Sequence, residues 1–88
     1  MEKIKVGVIF GGQSTEHDVS VVSGSSVIKN LNKEKYEIYP IYISKNGEWF
    51  HYIKPVQDIE IFEIGEQPKE LEKISNEFET LKKQEFLD

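Results

Sequence analysis

The segment that most constrains the fold spans residues 6–20 and reads VGVIFGGQSTEHDVS. Its apolar run ends at two glycines and gives way to a polar stretch with acidic residues, which is typical of the first strand-to-helix turn of an α/β sheet. Ligands of such sheets bind beyond the carboxyl ends of the strands, where the helix start offers backbone N–H groups and the positive end of its dipole. We therefore predict that Gly11 and Gly12 face a ligand.

The chemistry of this loop favours a cationic or zwitterionic ligand. It matches neither the GxGxxG dinucleotide pattern nor the GxxxxGK[ST] phosphate loop. The loop carries Glu16 and Asp18, with His17 as its one candidate cation. Two carboxylates repel phosphate and attract an ammonium group, such as that of an amino acid. In the alternative interpretation, Ser14 or Asp18 caps the helix and Glu16 only complements its dipole.

The first half of the chain predicts a strand followed by a helix. Residues 4–10 are nearly all apolar, as expected of a central strand buried on both faces. The helix is expected from about Glu16 or Asp18 to Leu31. Small residues around Gly24 are expected to let it lie close to the sheet. Its predicted buried face consists of Val19, Val22, Val27 and Leu31, widened by Val21 and Ile28.

A hairpin is predicted next. Residues 36–44 read as a strand in which Pro40 removes one N–H donor, so we expect an unpaired side or a bulge there. The Asn46-Gly47 pair is typical of a two-residue type I′ turn. Residues 49–53 are then expected to run back antiparallel.

The remaining chain is expected to end in a helix. Residues 55–67 fit either a short strand or an ordered loop. Pro68 suits the first turn of a final helix. Its apolar stripe is Leu71, Ile74, Phe78 and Leu81.

Composition excludes several classes of function. The chain has 88 residues, 16 acidic against 11 basic residues and a net charge of −5, which argues against a nucleic-acid partner. It has no cysteine, and His17 and His51 lie far apart in the sequence, so no metal site is expected. No apolar run is long enough for a signal sequence or a membrane span. We expect one small cytoplasmic domain without membrane contacts.

The sequence VGVIFGGQSTEHDVSVVSGSSVIKNL, residues 6–31, resembles the amino terminus of D-alanine:D-alanine ligases. The shared pattern is a strand, GG, the stretch S-x-E-[HR]-[ED]-V-S and a helix. Similarity continues to about Trp49 and fades from Pro55 onward. The resemblance implies an α/β, Rossmann-like open sheet of the kind that precedes an ATP-grasp fold, here with a hairpin and a C-terminal helix.

The resemblance also assigns roles to residues. Glu16 is similar to the carboxylate that orients the ammonium of the first D-alanine through a hydrogen-bond network, and it is the single predicted catalytic residue. Val19 resembles the apolar contact beside the methyl group of that substrate. Ser20, Gly11 and Gly12 complete the predicted substrate-binding set.

The family reaction uses ATP and magnesium to activate one D-alanine carboxylate as an acyl phosphate, which the amine of a second D-alanine attacks. The residues that bind ATP and magnesium belong to later domains, and no HGxxGEDG-type loop occurs before Asp88. Residues 1–88 are therefore expected to form part of the amino-terminal domain, inactive alone and binding neither ATP nor metal. The second substrate could be D-alanine, D-serine or D-lactate.

Two further expectations concern partners. The strand that flanks the first strand in the family is absent here, so an unpaired edge should favour a homodimer. Two other functions also fit the residues: a stand-alone α/β module that binds a small amine or amino acid without catalysis, and an interaction domain without a small-molecule site.

Overall fold

Residues 2–74 are the part of the chain that the computed structural model describes, and they form four strands, one α-helix and one 3-10 turn. The elements in chain order are β1 Ile4–Gly11, α1 His17–Asn30, β2 Tyr36–Ile43, β3 Trp49–Tyr52, the 3-10 turn Val56–Asp58 and β4 Leu71–Lys73. The predicted strand, helix and hairpin are thus confirmed, and the chain is a small α/β protein. No helix in this described part is long and apolar enough to cross a membrane.

The strands form one mixed sheet in the order β1-β2-β3-β4. β1 and β2 are parallel and are joined through α1, whereas β2–β3 and β3–β4 are antiparallel. The ladder between β2 and β3 covers Ile41–Ile43 and stops short of Pro40. Pro40 thus lies where β2 lacks a partner on that side, as its missing N–H predicts.

β1 lies at an edge of the sheet formed by residues 2–74, so the expectation of a central strand is wrong for the described part of the chain. Its burial on both faces is also wrong, because Ile4 and Ile9 are 56% and 55% exposed. The physical reason is that α1 covers one face of the sheet. Only the side chains that point toward α1, ending with Phe10, enter the core.

α1 buries a face different from the predicted one. Val19 and Val27 are half exposed. Val21 and Ile28 are buried as predicted, and the complete buried set is His17, Val21, Gly24, Ser25 and Ile28. This stripe contains polar and small residues, so a pattern based on apolar residues alone gives the wrong rotation of the helix.

Gly24 allows α1 to lie directly on β1, as predicted. A Cβ atom at this position would come within 2.8 Å of the Phe10 Cγ atom. The core between the helix and the sheet consists of Phe10, Val21, Ile28, Ile38, Tyr42, Tyr52 and Ile59.

The turn between β2 and β3 has three residues, so the predicted two-residue type I′ turn is wrong. The Ser44 N–H donates to the Glu48 carbonyl, and the Gly47 N–H donates to the Ser44 carbonyl, both at 2.9 Å. Gly47 has φ 84°, whereas Asn46 does not adopt positive φ. A type I turn followed by one left-handed glycine explains this geometry.

The segment between β3 and β4 follows α1 from the helix end toward its start, and we call residues 59–67 the strap. Its Ile59 side chain is buried in the core. Glu60 pairs with Lys29 near the end of α1. One turn earlier in the helix, the Ser25 hydroxyl accepts a hydrogen bond from the Phe62 N–H at 2.9 Å. Residues 55–67 are therefore an ordered segment that begins with a 3-10 turn.

The prediction of a helix that starts at Pro68 is wrong for residues 68–74, because Leu71–Lys73 forms β4 beside β3. Ile74, which follows, is 2% exposed. The spacing of Leu71 and Ile74 fits a helix, but hydrogen bonding to β3 decides the structure in favour of a strand. Phe78 and Leu81 lie outside the described residues.

Candidate functional site

The candidate site lies at the carboxyl ends of β1 and β2, where the glycine loop leads into α1. Gly11 and Gly12 have φ 92° and 109°, values that side-chain-bearing residues rarely adopt. The Gly11 N–H donates to the Ser20 Oγ atom at 3.0 Å, and the Gly12 N–H donates to the Ile43 carbonyl at 2.8 Å. Both N–H groups are engaged within the protein, so the loop is not a phosphate cradle. The ligand-binding role of these two glycines stays a prediction.

Glu16 occupies the residue just before α1, with φ −88° and ψ 8°. Its N–H donates to the Ser14 Oγ atom at 3.1 Å, and its carbonyl accepts the Ser20 N–H at 2.8 Å. Its side chain makes no capping hydrogen bond. Asp18 lies inside α1 and does not cap it, whereas the Ser14 hydroxyl does accept a backbone N–H, that of Glu16, just before the helix begins. Glu16 is exposed, and no ion pair among residues 2–74 involves it.

Val19 lies three residues after Glu16 and is 50% exposed. Residues three and four apart share a helix face, so the exposed side chains of Glu16 and Val19 lie close to one another. Ser20 lies on the same side and ties the helix to the loop through Gly11. The structure thus joins Ser20 to Gly11 and leaves Glu16 and Val19 exposed at the start of the helix.

The sequence indicates His17 only as a candidate cation, yet the structure buries its side chain, which is 1% exposed. Its Nδ1 atom lies 2.8 Å from Asp18 Oδ1, and its Nε2 atom lies 2.7 Å from the Tyr42 hydroxyl. Its ring also meets the Tyr42 ring edge-on, with centroids 5.5 Å apart. A helical stripe that included the histidine and Gly24 along with Val21 would have indicated this burial.

Asp18 is the carboxylate of the loop that already has partners. Besides His17, it accepts a hydrogen bond from the Gln67 Nε2 atom at 3.3 Å, and Lys45 Nζ lies 3.7 Å away. The hydrogen bond from His17, followed by that from Gln67, holds the pKa of Asp18 below its ordinary value, while desolvation opposes this. Asp18 is therefore charged at neutral pH and neutralised from within the protein. Glu16 is the carboxylate of the loop that has no ion-pair partner among residues 2–74.

Tyr42 completes a ring of four hydrogen-bonded side chains, which consists of His17, Asp18, Gln67 and Tyr42. Its hydroxyl, which contacts His17, donates to the Gln67 Oε1 atom at 3.3 Å. Burial, and then the charge of Asp18, raise the pKa of Tyr42, so the phenol stays neutral. The two His17 ring nitrogens thus connect Asp18 of α1 with Tyr42 of β2.

The described residues offer no metal centre. Within residues 2–74 no three His, Cys, Asp or Glu side chains lie together in a way that could hold an ion. His17 begins α1 and His51 lies on β3, so the two histidines belong to different elements. The site consequently offers carboxylate and apolar contacts, which suit a small zwitterion better than a metal or a phosphate.

Comparison with known proteins identifies the family. The family described as D-ala D-ala ligase N-terminus matches residues 5–87. The D-alanine–D-alanine ligase of Clostridium novyi is 57% identical over 58 residues, which cover 66% of this chain and 17% of that protein. The ligase of Thermoanaerobacter pseudethanolicus is 54% identical over 70 residues, covering 80% of this chain and 19% of that protein.

Solved structures agree with this match. The D-Ala:D-Ser ligase VanG from Enterococcus faecalis aligns with a TM-score of 0.59 and 46% identity over 66% of this chain and 17% of that protein. The D-alanine-D-alanine ligase from Coxiella burnetii aligns with a TM-score of 0.56 and 39% identity, covering 58% and 15%. The chain thus spans less than a fifth of the length of these relatives. It belongs to the family of D-alanine–D-alanine ligase amino-terminal domains.

Proposed function

We propose that this chain contributes contacts to the first D-alanine of an ATP-dependent ligation, with Glu16 holding the substrate ammonium. The observation that carries the proposal is the difference between the two carboxylates of the loop. Asp18 is bound by His17 and Gln67, whereas Glu16 is exposed and free of ion pairs within residues 2–74. A free carboxylate at a strand-to-helix turn can meet a ligand ammonium directly or through one water.

The other predicted residues fit the rest of this substrate. Val19 exposes an apolar side chain one turn after Glu16, where it can contact a methyl group. The Ser20 hydroxyl accepts a hydrogen bond from the Gly11 N–H and so holds the glycine loop beside the start of the helix. The chain supplies no phosphate cradle, which agrees with a part of the enzyme that contacts substrate rather than nucleotide.

The relatives support the choice of the first D-alanine. One similar protein is a D-Ala:D-Ser ligase, and others are D-alanine–D-alanine ligases. The substrate that these names share is D-alanine. A segment so similar in both is therefore suited to contact the common substrate, while the choice of the second substrate is made elsewhere.

The complete reaction belongs to the larger enzyme. We propose that ATP and magnesium bind to the parts of the ligase that this chain does not span, and that the chain alone is inactive. Its sheet would then be one portion of a Rossmann-like domain that precedes an ATP-grasp fold. This division agrees with its coverage of less than a fifth of the relatives.

We also propose that the chain forms a homodimer through β1. Within residues 2–74 no strand pairs with the side of β1 that faces away from β2. Antiparallel self-pairing centred on Gly7 would place Lys5 opposite Ile9, so the one charge of the strand would not meet its own copy. An unprotected edge of eight residues favours such pairing.

Titration of the isotope-labelled chain with D-alanine, followed by NMR, tests the substrate contact. A charge-assisted contact stabilises by about 1.5–3 kcal/mol, which alone corresponds to dissociation constants of roughly 10–100 mM. The amides of Glu16, Val19 and Ser20 should shift in this range. N-acetyl-D-alanine, which lacks the ammonium, should leave them unchanged.

Matched variants make the test specific. Glu16→Gln should abolish the shifts, whereas Glu34→Gln, an exposed acid before β2, should retain them. Equal shifts with D-alanine and its N-acetyl derivative would contradict the role of Glu16. An absence of shifts at 100 mM would favour an interaction domain without a small-molecule site.

A further inference from the structure

His17 is a buried titratable side chain that the proposed substrate contact does not use. It is the first residue of α1, directly after Glu16, and it is almost completely buried. The first residue of a helix can be exposed to solvent and need not contact the core. The histidine instead reaches across the core to Tyr42 of β2, 25 positions later in the sequence.

The hydrogen bonds around His17 connect three elements. His17 and Asp18 belong to α1, Tyr42 to β2 and Gln67 to the end of the strap. Lys45 of the hairpin adds a charge beside Asp18. This ring is the only hydrogen-bonded side-chain connection among residues 2–74 that joins the start of α1 to both β2 and the strap.

We propose that His17 is a positioning residue, which fixes the first turn of α1 and thereby places Glu16 and Val19 for the ligand. The bond to Tyr42 holds the turn against β2, and the bond to Asp18 orders the neighbouring carboxylate. The effect on D-alanine rests on the proposed function, whereas the effect on the turn does not.

The local structure explains why such an anchor is needed. A helix normally gains stability from a side-chain cap at its first residues. The Glu16 side chain gives α1 no such bond, and the Ser14 hydroxyl accepts only the Glu16 N–H, before the helix begins. The loop from Gln13 to Glu16 is exposed and adopts bends and turns. Without the bond between His17 and Tyr42, the turn would be tied to the sheet through the contact between Ser20 and Gly11.

Hydrogen exchange of two amides in α1 tests this role without a ligand. The Ser20 N–H bonds to the Glu16 carbonyl in the first turn, and the Leu31 N–H bonds to the Val27 carbonyl at the other end. Tyr42→Phe removes the hydroxyl and keeps the ring in the core. It should speed exchange at Ser20 by about five- to tenfold and leave Leu31 within about twofold.

Substitutions of the histidine separate its two bonds. His17→Gln places an amide near the Nε2 position, where it can still reach Tyr42, so exchange at Ser20 should stay near the wild-type rate. His17→Asn places an amide near the Nδ1 position and reaches only Asp18, so it should resemble Tyr42→Phe. His51→Gln makes the same chemical change on β3 and serves as the control, with unchanged exchange expected.

Two results would overturn the proposal. Equal acceleration at Ser20 and Leu31 would show that His17 merely stabilises the whole domain. Unchanged exchange at Ser20 in Tyr42→Phe would show that the bond does not hold the turn.

D-alanine titration of the same variants distinguishes this proposal from the proposed function. Tyr42→Phe should weaken D-alanine binding by about as much as it speeds exchange at Ser20, and unchanged affinity would overturn the positioning role. If wild-type chain fails to bind D-alanine, the proposed function fails, while the exchange data still decide whether His17 holds the turn.

Discussion

Replacing Gly24 with alanine tests the close packing of α1 on β1, which places the start of the helix beside the glycine loop. In an isolated helix this change would stabilise by about 1 kcal/mol, because glycine is a poor helix former. Here the new Cβ would lie 2.8 Å from Phe10 Cγ and closer still to the Phe10 Cβ atom. An atom so close to the backbone cannot rotate away, so α1 or β1 must shift.

Overpacking of this kind costs about 1–3 kcal/mol, and the short distance places Gly24→Ala near the upper end. After the gain in helix propensity, the expected net loss is about 1–2 kcal/mol of the free energy of unfolding. For a domain of this size, that loss lowers the melting temperature by roughly 5–15 °C.

Urea denaturation, followed by circular dichroism, measures the effect. Ser23→Ala is the matched control, because it lies on the exposed side of the same helix and should stabilise slightly, by up to ~0.5 kcal/mol. A Gly24→Ala variant as stable as wild type, or more stable, would refute the close approach of α1 to β1.

Three further predictions concern charge, nucleotide and association. Hydrogen bonds from His17 and Gln67 lower the pKa of Asp18, so its ionised form favours the folded state. This contribution to the free energy of unfolding is present at neutral pH and is lost as the pH falls below about 4 and through the folded-state pKa of Asp18. In urea titrations at several pH values, Asp18→Asn should lose less stability on acidification than wild type. An equally steep loss in the variant would contradict the role of Asp18. Calorimetry with ATP and magnesium should show no saturable binding at micromolar concentrations, and saturable binding would place a nucleotide site within this chain. Sedimentation at several concentrations should show a dimer that Ile9→Pro in β1 weakens, because the Ile4 and Gly12 N–H groups bond toward β2 and the Ile9 N–H, an odd number of residues away, faces the free edge. A monomer at every concentration would contradict pairing through this strand.

Local signals were sufficient to predict the order of β1, α1, β2 and β3. An apolar run that ends at Gly11 and Gly12 indicates a strand-to-helix turn, and Pro40 correctly marks where β2 lacks a partner. The exposed position of Glu16 also follows from the sequence, because it lies at a polar helix start. These features depend on neighbours in the chain.

Features that depend on distant partners were not predictable. The buried face of α1 contains His17 and Ser25, whose partners Tyr42 and Phe62 lie 25 and 37 positions away. Polar residues become part of a core only when such partners exist, and a hydrophobic pattern does not contain that information. In the same way, pairing with β3 makes a strand of Leu71–Lys73, where local spacing favours a helix.

The central claim is that Glu16 holds the ammonium of the first D-alanine, and enzyme kinetics in a complete ligase test it most directly. The Clostridium novyi ligase matches this chain over 58 residues at 57% identity, so its matching segment can be exchanged for that of this chain. In this chimaera, Glu16→Gln should raise the KM for the first D-alanine by roughly 10- to 100-fold, as loss of a charge-assisted contact implies. Glu34→Gln should leave it unchanged. An unchanged KM together with an unchanged kcat in the Glu16→Gln chimaera would contradict the account and leave Glu16 with a role in the helix dipole alone.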